Sequence, residues 1–185
     1  MDQNVLPVIC DFKAVDLFLK TDIPWCILMD FHICALEDLM CRLHRANKRV
    51  ILHLDMIHGL CADEAGTQYV CQKLHADGVI STKAKVIETS KKNHVLTIMR
   101  LFMIDSRSIE RGCELGNRLQ PDFLEVLPAN TKNGISYVRE RSSLPLIAGG
   151  LIRCKEDIEE CLALGVCAVT TSSLSLCREM KAGRA

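Results

Sequence analysis

The chain has 185 residues, 49% of them apolar and 25% charged, with 23 Lys+Arg set against 23 Asp+Glu. Such a length supports one well-formed core and is short for two, and the composition is that of a water-soluble globule, which excludes a disordered chain. Formal neutrality excludes the broad basic field of a non-specific nucleic-acid binder.

The first apolar run, VLPVIC (5–10), is too short for a membrane span or a secretory signal. It opens a rhythm that repeats at CILMD (26–30), RVILHLD (49–55), GVIS (78–81), VLTIMRLF (95–102), FLEVLP (123–128), PLIAGG (145–150) and CAVTTS (167–172). Nearly continuous apolar runs of this kind mark strands buried on both faces. An amphipathic stretch follows each one: Leu36, Leu39, Met40 and Leu43 recur at helical spacing after the second, and Ile158, Cys161 and Leu162 after the seventh, where Gly165 stops the helix. Strands alternating with helices predict right-handed βαβ units.

Eight such units close into a compact α/β barrel of the TIM (β/α)8 type, one domain over residues 1–185. The competing open doubly wound sheet lacks its GxGxxG after the first strand. Barrels typically take about 250 residues, so the helices and loops must be near their minimum. The final helix is expected to be short or incomplete, with only 174–181 left to form it. The eleven cysteines are odd in number and contain no CxxC pair, which argues against a disulfide framework or a zinc site. Cys71, Cys113 and Cys161 fall on apolar stripes as small hydrophobes, and a reducing cytoplasm suits them.

In such a barrel the chemistry sits where the strands end. Those ends supply Asp30, Asp55, Lys83, Arg100, Glu125, Gly149-Gly150 and Thr171-Ser172. Three acids and two bases suit a ligand with hydroxyls and an anionic group. Asp30 and Asp55 also fit as helix caps or loop anchors, and Arg100 and Glu125 as an internal ion pair. Ending a buried strand in two glycines forfeits about 0.5–1 kcal/mol per site relative to alanine, so the bare backbone is expected to serve a purpose. Gly149 and Gly150 let the N–H groups of Gly150 and Leu151 approach a phosphate, and Thr171, Ser172 and Ser173 add donors from the neighbouring strand. Three or four donors at about 1.5–3 kcal/mol each reach the roughly 4–7 kcal/mol of a binder between about 10 μM and 1 mM. Close helix–strand packing is the alternative use of the glycines. No nucleophile stands beside a base at recognisable spacing, and neither a cofactor nor a metal is expected.

VILHLDMIHGL (50–60), DGVISTK (77–83), IMRLFMIDS (98–106), QPDFLEVLP (120–128), PLIAGGLI (145–152) and AVTTS (168–172), in that order, closely resemble the glycerol-3-phosphate-responsive antiterminators of bacteria. The resemblance covers about residues 5 to 177. It implies a barrel that binds glycerol-3-phosphate and acts on the leader of a messenger RNA for glycerol-use genes, preventing premature termination. It also implies a phosphate at Gly149, Gly150, Thr171 and Ser172, with Asp55, Lys83, Arg100 and Glu125 around the ligand. Chemistry suggests their roles: Lys83 reaching the phosphate, Asp55 and Glu125 accepting from the glycerol hydroxyls, and Arg100 holding Glu125. The chain departs from the family pattern at Cys10, where a basic residue often stands, at Ala129 for a glycine and at Cys177 for a tryptophan.

Aromatic residues make up 4% of the chain, with one Trp and two Tyr, which disfavours a base-stacking platform. The basic clusters are Lys83, Lys85, Lys91 and Lys92, the stretch from Arg42 to Arg49, and Arg139 with Arg141. If these hold RNA, backbone contacts dominate and affinity falls steeply with salt. The rival reading is a small aldolase- or isomerase-like enzyme in which Lys83 forms a Schiff base with a phosphosugar carbonyl and Asp55 or Glu125 handles protons. The sequence leaves the oligomeric state open.

Overall fold

The computed structural model describes residues 3–129 and 131–182. Each apolar run becomes one strand: β1 Val5–Ile9, β2 Trp25–Leu28, β3 Arg49–His53, β4 Gly78–Ser81, β5 Leu96–Phe102, β6 Phe123–Leu127, β7 Leu146–Gly149 and β8 Ala168–Thr171. All neighbours are parallel, and β8 pairs back onto β1 to close the barrel. The helices are α1 Phe12–Leu19, α2 Ile33–Arg45, α3 Glu64–Gln68, α4 Ala84–Lys92, α5 Ser106–Leu119, α6 Lys132–Arg139, α7 Lys155–Ala163 and α8 Leu174–Ala182. The final helix occupies the span left for it and has nine residues, as do α4 and α7. The economy a 185-residue barrel needs is thus spread around the ring.

Local chemistry sets the boundaries. The side chains of Asp11, Asp63 and Asp105 each accept from a backbone N–H three residues on, at Ala14, Gly66 and Ser108, and so start α1, α3 and α5. Gly165 takes φ +79° immediately past the end of α7, the left-handed conformation that glycine adopts without Cβ strain. Two elements have no clear signature in the sequence. A 3₁₀ turn, Leu54–Met56, follows β3, and a π turn, Tyr69–Lys73, prolongs α3.

Alternate strand residues point into the barrel, and the register shows which of them come level. Val8 pairs with Ile27, Ile27 with Ile51, Ile51 with Gly78 and Gly78 with Leu96. In a tilted eight-stranded barrel, side chains from alternate strands therefore stack as layers of four. Leu6, Ile51, Ile98 and Ile147 form one such layer and are fully buried. Above it lie Ile27, Ile80, Glu125 and Thr170, and then Val8, His53, Arg100 and Gly149. The lower barrel is an apolar plug, and polarity begins two layers beneath the rim. A second, larger core fills the shell between strands and helices, where Leu36, Leu39, Met40 and Leu43 of α2 are all buried with Phe18 and Val15 of α1.

Candidate functional site

At the C-terminal ends of the strands a cavity of about 300 Å³ is lined by Val8, Cys10, Met29, Arg100, Leu127, Gly150, Leu151, Ile152, Thr170, Thr171 and Ser172. Segments 149–150 and 171–172 converge on it, because Gly149 is paired with Thr170 across β7 and β8. Among the described residues, the backbone N–H groups of Gly150, Leu151, Ile152 and Ser172 donate to no acceptor. All four lie on the cavity wall. Gly150 and Leu151 have φ of +77° and +61°, so two successive left-handed residues turn the chain along one side of the mouth. Unspent donors on such a turn form an anion-binding concavity.

Beneath this wall sits a buried polar relay. Arg100 Nε donates to Glu125 Oε2 at 2.7 Å, and Thr170 Oγ1 donates to Glu125 Oε1 at 2.9 Å. Glu125 is fully buried, and its charge is matched by the guanidinium one layer above. Nε is the one Arg100 nitrogen engaged with described residues, which leaves the terminal nitrogens for a ligand. The relay also explains Gly149. A Cβ there would stand 2.2 Å from Thr170 Oγ1 and 3.1 Å from Glu125 Oε1, so the missing side chain makes room for the Glu125–Thr170 bond. The open backbone belongs to Gly150, whose added Cβ would come no nearer than 3.5 Å to its closest neighbour.

The other sequence-derived candidates have different partners. Asp55 is a loop anchor: Ser81 Oγ donates to its Oδ1 at 2.5 Å, while the Thr82 N–H and hydroxyl donate to its Oδ2 at 2.7 and 2.8 Å. Burial works to raise the Asp55 carboxyl, but these bonds and nearby His53 outweigh it and hold it below the ordinary value. Thr171 Oγ1 accepts from the Ser173 N–H at 3.1 Å, so Ser173 is spent on the turn into α8. Lys83 is exposed at the N-cap of α4 and is absent from the cavity lining. The Schiff-base alternative therefore has no lysine on the mouth wall.

Two residues escaped the sequence reading. Thr170 carries the inward hydroxyl of β8; counting in twos from inward Ala168 reaches it, one residue before the Thr171-Ser172 pair. His53 lies in the layer of Arg100 and Gly149 and was hidden inside the run RVILHLD. Of the positions that depart from the family pattern, Cys10 lines the cavity, and burial followed by Asp30 and Asp11 raises its thiol pKa. Ala129 is buried and donates its N–H to the Gly149 carbonyl at 2.7 Å, and Cys177 packs in the outer core.

The basic clusters largely dissolve into internal contacts. Arg42 pairs with Asp16, Arg49 with Asp77 and Lys85 with Glu64. Lys48 donates to the Thr21 and Ile23 carbonyls, Lys91 to those of Leu119 and Gln120, and Arg139 to those of Leu164 and Gly165. Arg141 stacks 3.3 Å from the Tyr137 ring centroid. Of the Lys and Arg side chains in these clusters, only those of Arg45, Lys83 and Lys92 make no hydrogen bond or ion pair with described residues. Among the described residues, no helix is long and apolar enough to cross a membrane.

The fold and the mouth define a closed parallel (β/α)8 barrel with a donor-rich wall at β7 and β8. The chain belongs to the glycerol-3-phosphate responsive antiterminator family, whose pattern it matches over residues 5–177. It is similar to the crystal structure of the glycerol uptake operon antiterminator regulatory protein of Listeria monocytogenes, at 32% identity and a TM-score of 0.90 over 94% of each chain. A glycerol uptake operon antiterminator-related protein of Thermotoga maritima gives 29% identity and a TM-score of 0.85 over 96% of this chain and 99% of that one. An uncharacterized Escherichia coli protein, YgcP, is 28% identical over 172 residues, 92% of this chain and 90% of its own. Aldolases share the barrel at 11% identity, a likeness of fold alone.

Proposed function

We propose that the protein binds glycerol-3-phosphate in the barrel mouth and, so loaded, acts on the leader of a messenger RNA in the cytoplasm as a transcription antiterminator. The observation that carries this reading is the group of four unspent N–H donors, at Gly150, Leu151, Ile152 and Ser172, around the same small cavity as the Arg100 guanidinium. Such a set matches a phosphate monoester: the amides supply directed bonds and the guanidinium supplies charge. Glu125 keeps Arg100 oriented rather than contacting ligand itself, since Arg100 Nε and Thr170 Oγ1 already occupy its two carboxylate oxygens.

Ligand occupancy has a route to the surface. The Ala129 N–H is tied to the carbonyl of Gly149, so the strand that carries the anion wall also holds the start of the loop 128–134. Asn130 of that loop lies outside the described residues. With the loop 56–63, this segment is the surface whose shape the metabolite selects. Only a difference in metabolite affinity between the two shapes can drive such a switch, and about 1–3 kcal/mol is usual.

A thermal-shift panel of glycerol-3-phosphate, inorganic phosphate and glycerol tests the binding step. At about 100 Kd the phosphoester adds roughly 2.7 kcal/mol, while glycerol adds nothing. Isothermal titration of glycerol-3-phosphate with and without leader RNA tests the coupling. Equal metabolite affinity in both cases refutes the switch, and a silent panel refutes the site.

A further inference from the structure

Among the described residues, the barrel interior holds one polar side chain that neither the packing nor the proposed anion wall employs. His53 ends β3, is 1% exposed, and has no hydrogen-bond partner at Nδ1 or Nε2 among the described residues. It therefore carries the desolvation penalty of two polar atoms with no bond in return. Register places it level with Val8, Arg100 and Gly149. Two of these, Val8 and Arg100, line the mouth cavity, and the third has no side chain. Met29 and Leu127, one layer higher, also line the cavity; the His53 ring is not part of that lining, but it stands between Val8 and Arg100, which are, so a ligand meets it by entering the floor between them.

The chemistry of the ring suits the part of the ligand that the anion wall does not. Burial, and then the Arg100 charge, lower the His53 pKa to about 4, against a smaller opposing pull from Asp55. The ring is thus neutral near pH 7, with one N–H donor and one acceptor. A hydroxyl both donates and accepts; a phosphate dianion only accepts, and its partners are the amides and Arg100.

We infer that His53 is a specificity residue, hydrogen-bonding a hydroxyl of a phosphorylated polyol on the cavity floor and so selecting it over phosphoesters that lack hydroxyls. The inference rests on the proposed function of the mouth. It explains why the interior retains an imidazole without a partner among the described residues in a layer whose β1 position is filled by the aliphatic Val8.

Isothermal titration of wild type, His53→Leu and His53→Asn tests it with two ligands, glycerol-3-phosphate and propyl phosphate, which has the same ester dianion and no hydroxyl. The expected result for His53→Leu is a loss of about tenfold in glycerol-3-phosphate affinity with propyl phosphate unchanged and a thermal midpoint no lower than wild type. His53→Asn, which keeps a donor and an acceptor, should recover part of the loss. His53→Phe makes the same test if leucine packs poorly. Undiminished discrimination in His53→Leu overturns the inference, as expected if a buried water satisfies the ring. An equal fall for both ligands also overturns it, by assigning His53 a purely structural role. If wild-type protein binds neither compound, the reading of the mouth fails and takes this inference with it.

Discussion

Gly149 and Gly150 sit side by side and meet different physical needs. At Gly149 an added methyl collides with Thr170 Oγ1, so Gly149→Ala is expected to cost about 1–3 kcal/mol through overpacking of the Glu125 relay. At Gly150 there is room for the methyl, but φ is +77°, and Gly150→Ala is expected to cost about 1–2 kcal/mol of backbone strain. Double-mutant cycles with Thr170→Ala, read by urea denaturation, separate the two: Gly149→Ala couples strongly to position 170 and Gly150→Ala is additive. His53 supplies a pH signature. Its folded pKa of about 4 lies below the ordinary 6.5, so between those values the unfolded chain binds more protons. Stability therefore falls as pH drops through that window, by up to about 3 kcal/mol. The depressed carboxyl of Asp55 contributes above its ordinary 3.8 and loses that contribution as pH falls through its lower folded value. His53→Leu should consequently flatten the stability profile between pH 4 and 6.5 while leaving the more acidic limb, as measured by thermal midpoints across pH.

Among the elements, the eight strands were legible to within about two residues at either end, because each is a short apolar run broken by turn chemistry. A helix after β3 was expected like the others, but its form was not legible. There the chain runs through a 3₁₀ turn and ends in a π turn, geometries without a hydrophobic period of their own. Asp55 shows the same limit at a loop. Its position at a strand end suggested a ligand contact, yet its three bonds go to Ser81 and Thr82 on the next strand and loop, a meeting set by the β3–β4 register. Asp55→Ala should cost about 2–3 kcal/mol, since a charge-assisted acceptor disappears and the Thr82 N–H loses its partner. Accelerated amide exchange confined to Thr82 and its neighbours would identify the loop as the part that loosens.

For the whole molecule, a formal charge of zero and the internal pairing of most cations in the basic clusters shape the proposed RNA binding. Arg45 and Lys92 lie at the C-terminal ends of α2 and α4, while Lys83 lies at the N-terminal end of α4, so the three unpaired members of the clusters occupy opposite faces of the barrel. The steep salt dependence expected from clusters in the sequence should therefore be shallow. A log–log slope of about −2 to −3 corresponds to three or four single-strand phosphates. Fluorescence anisotropy of a labelled leader over a range of salt concentrations measures it, and a slope near −6 would contradict the dispersal of charge.

The sequence by itself determined the barrel and its strand count and singled out the glycine pair of the proposed anion wall, because apolar runs, helical spacing and a glycine pair are local patterns that burial and backbone sterics write into consecutive residues. Only tertiary structure decided which strand-end side chains share the mouth. That assignment follows from the register and tilt of the strands, which bring Arg100, Glu125, Gly149, Thr170 and His53 into adjacent layers, turn Asp55 toward Ser81 and leave Lys83 outside.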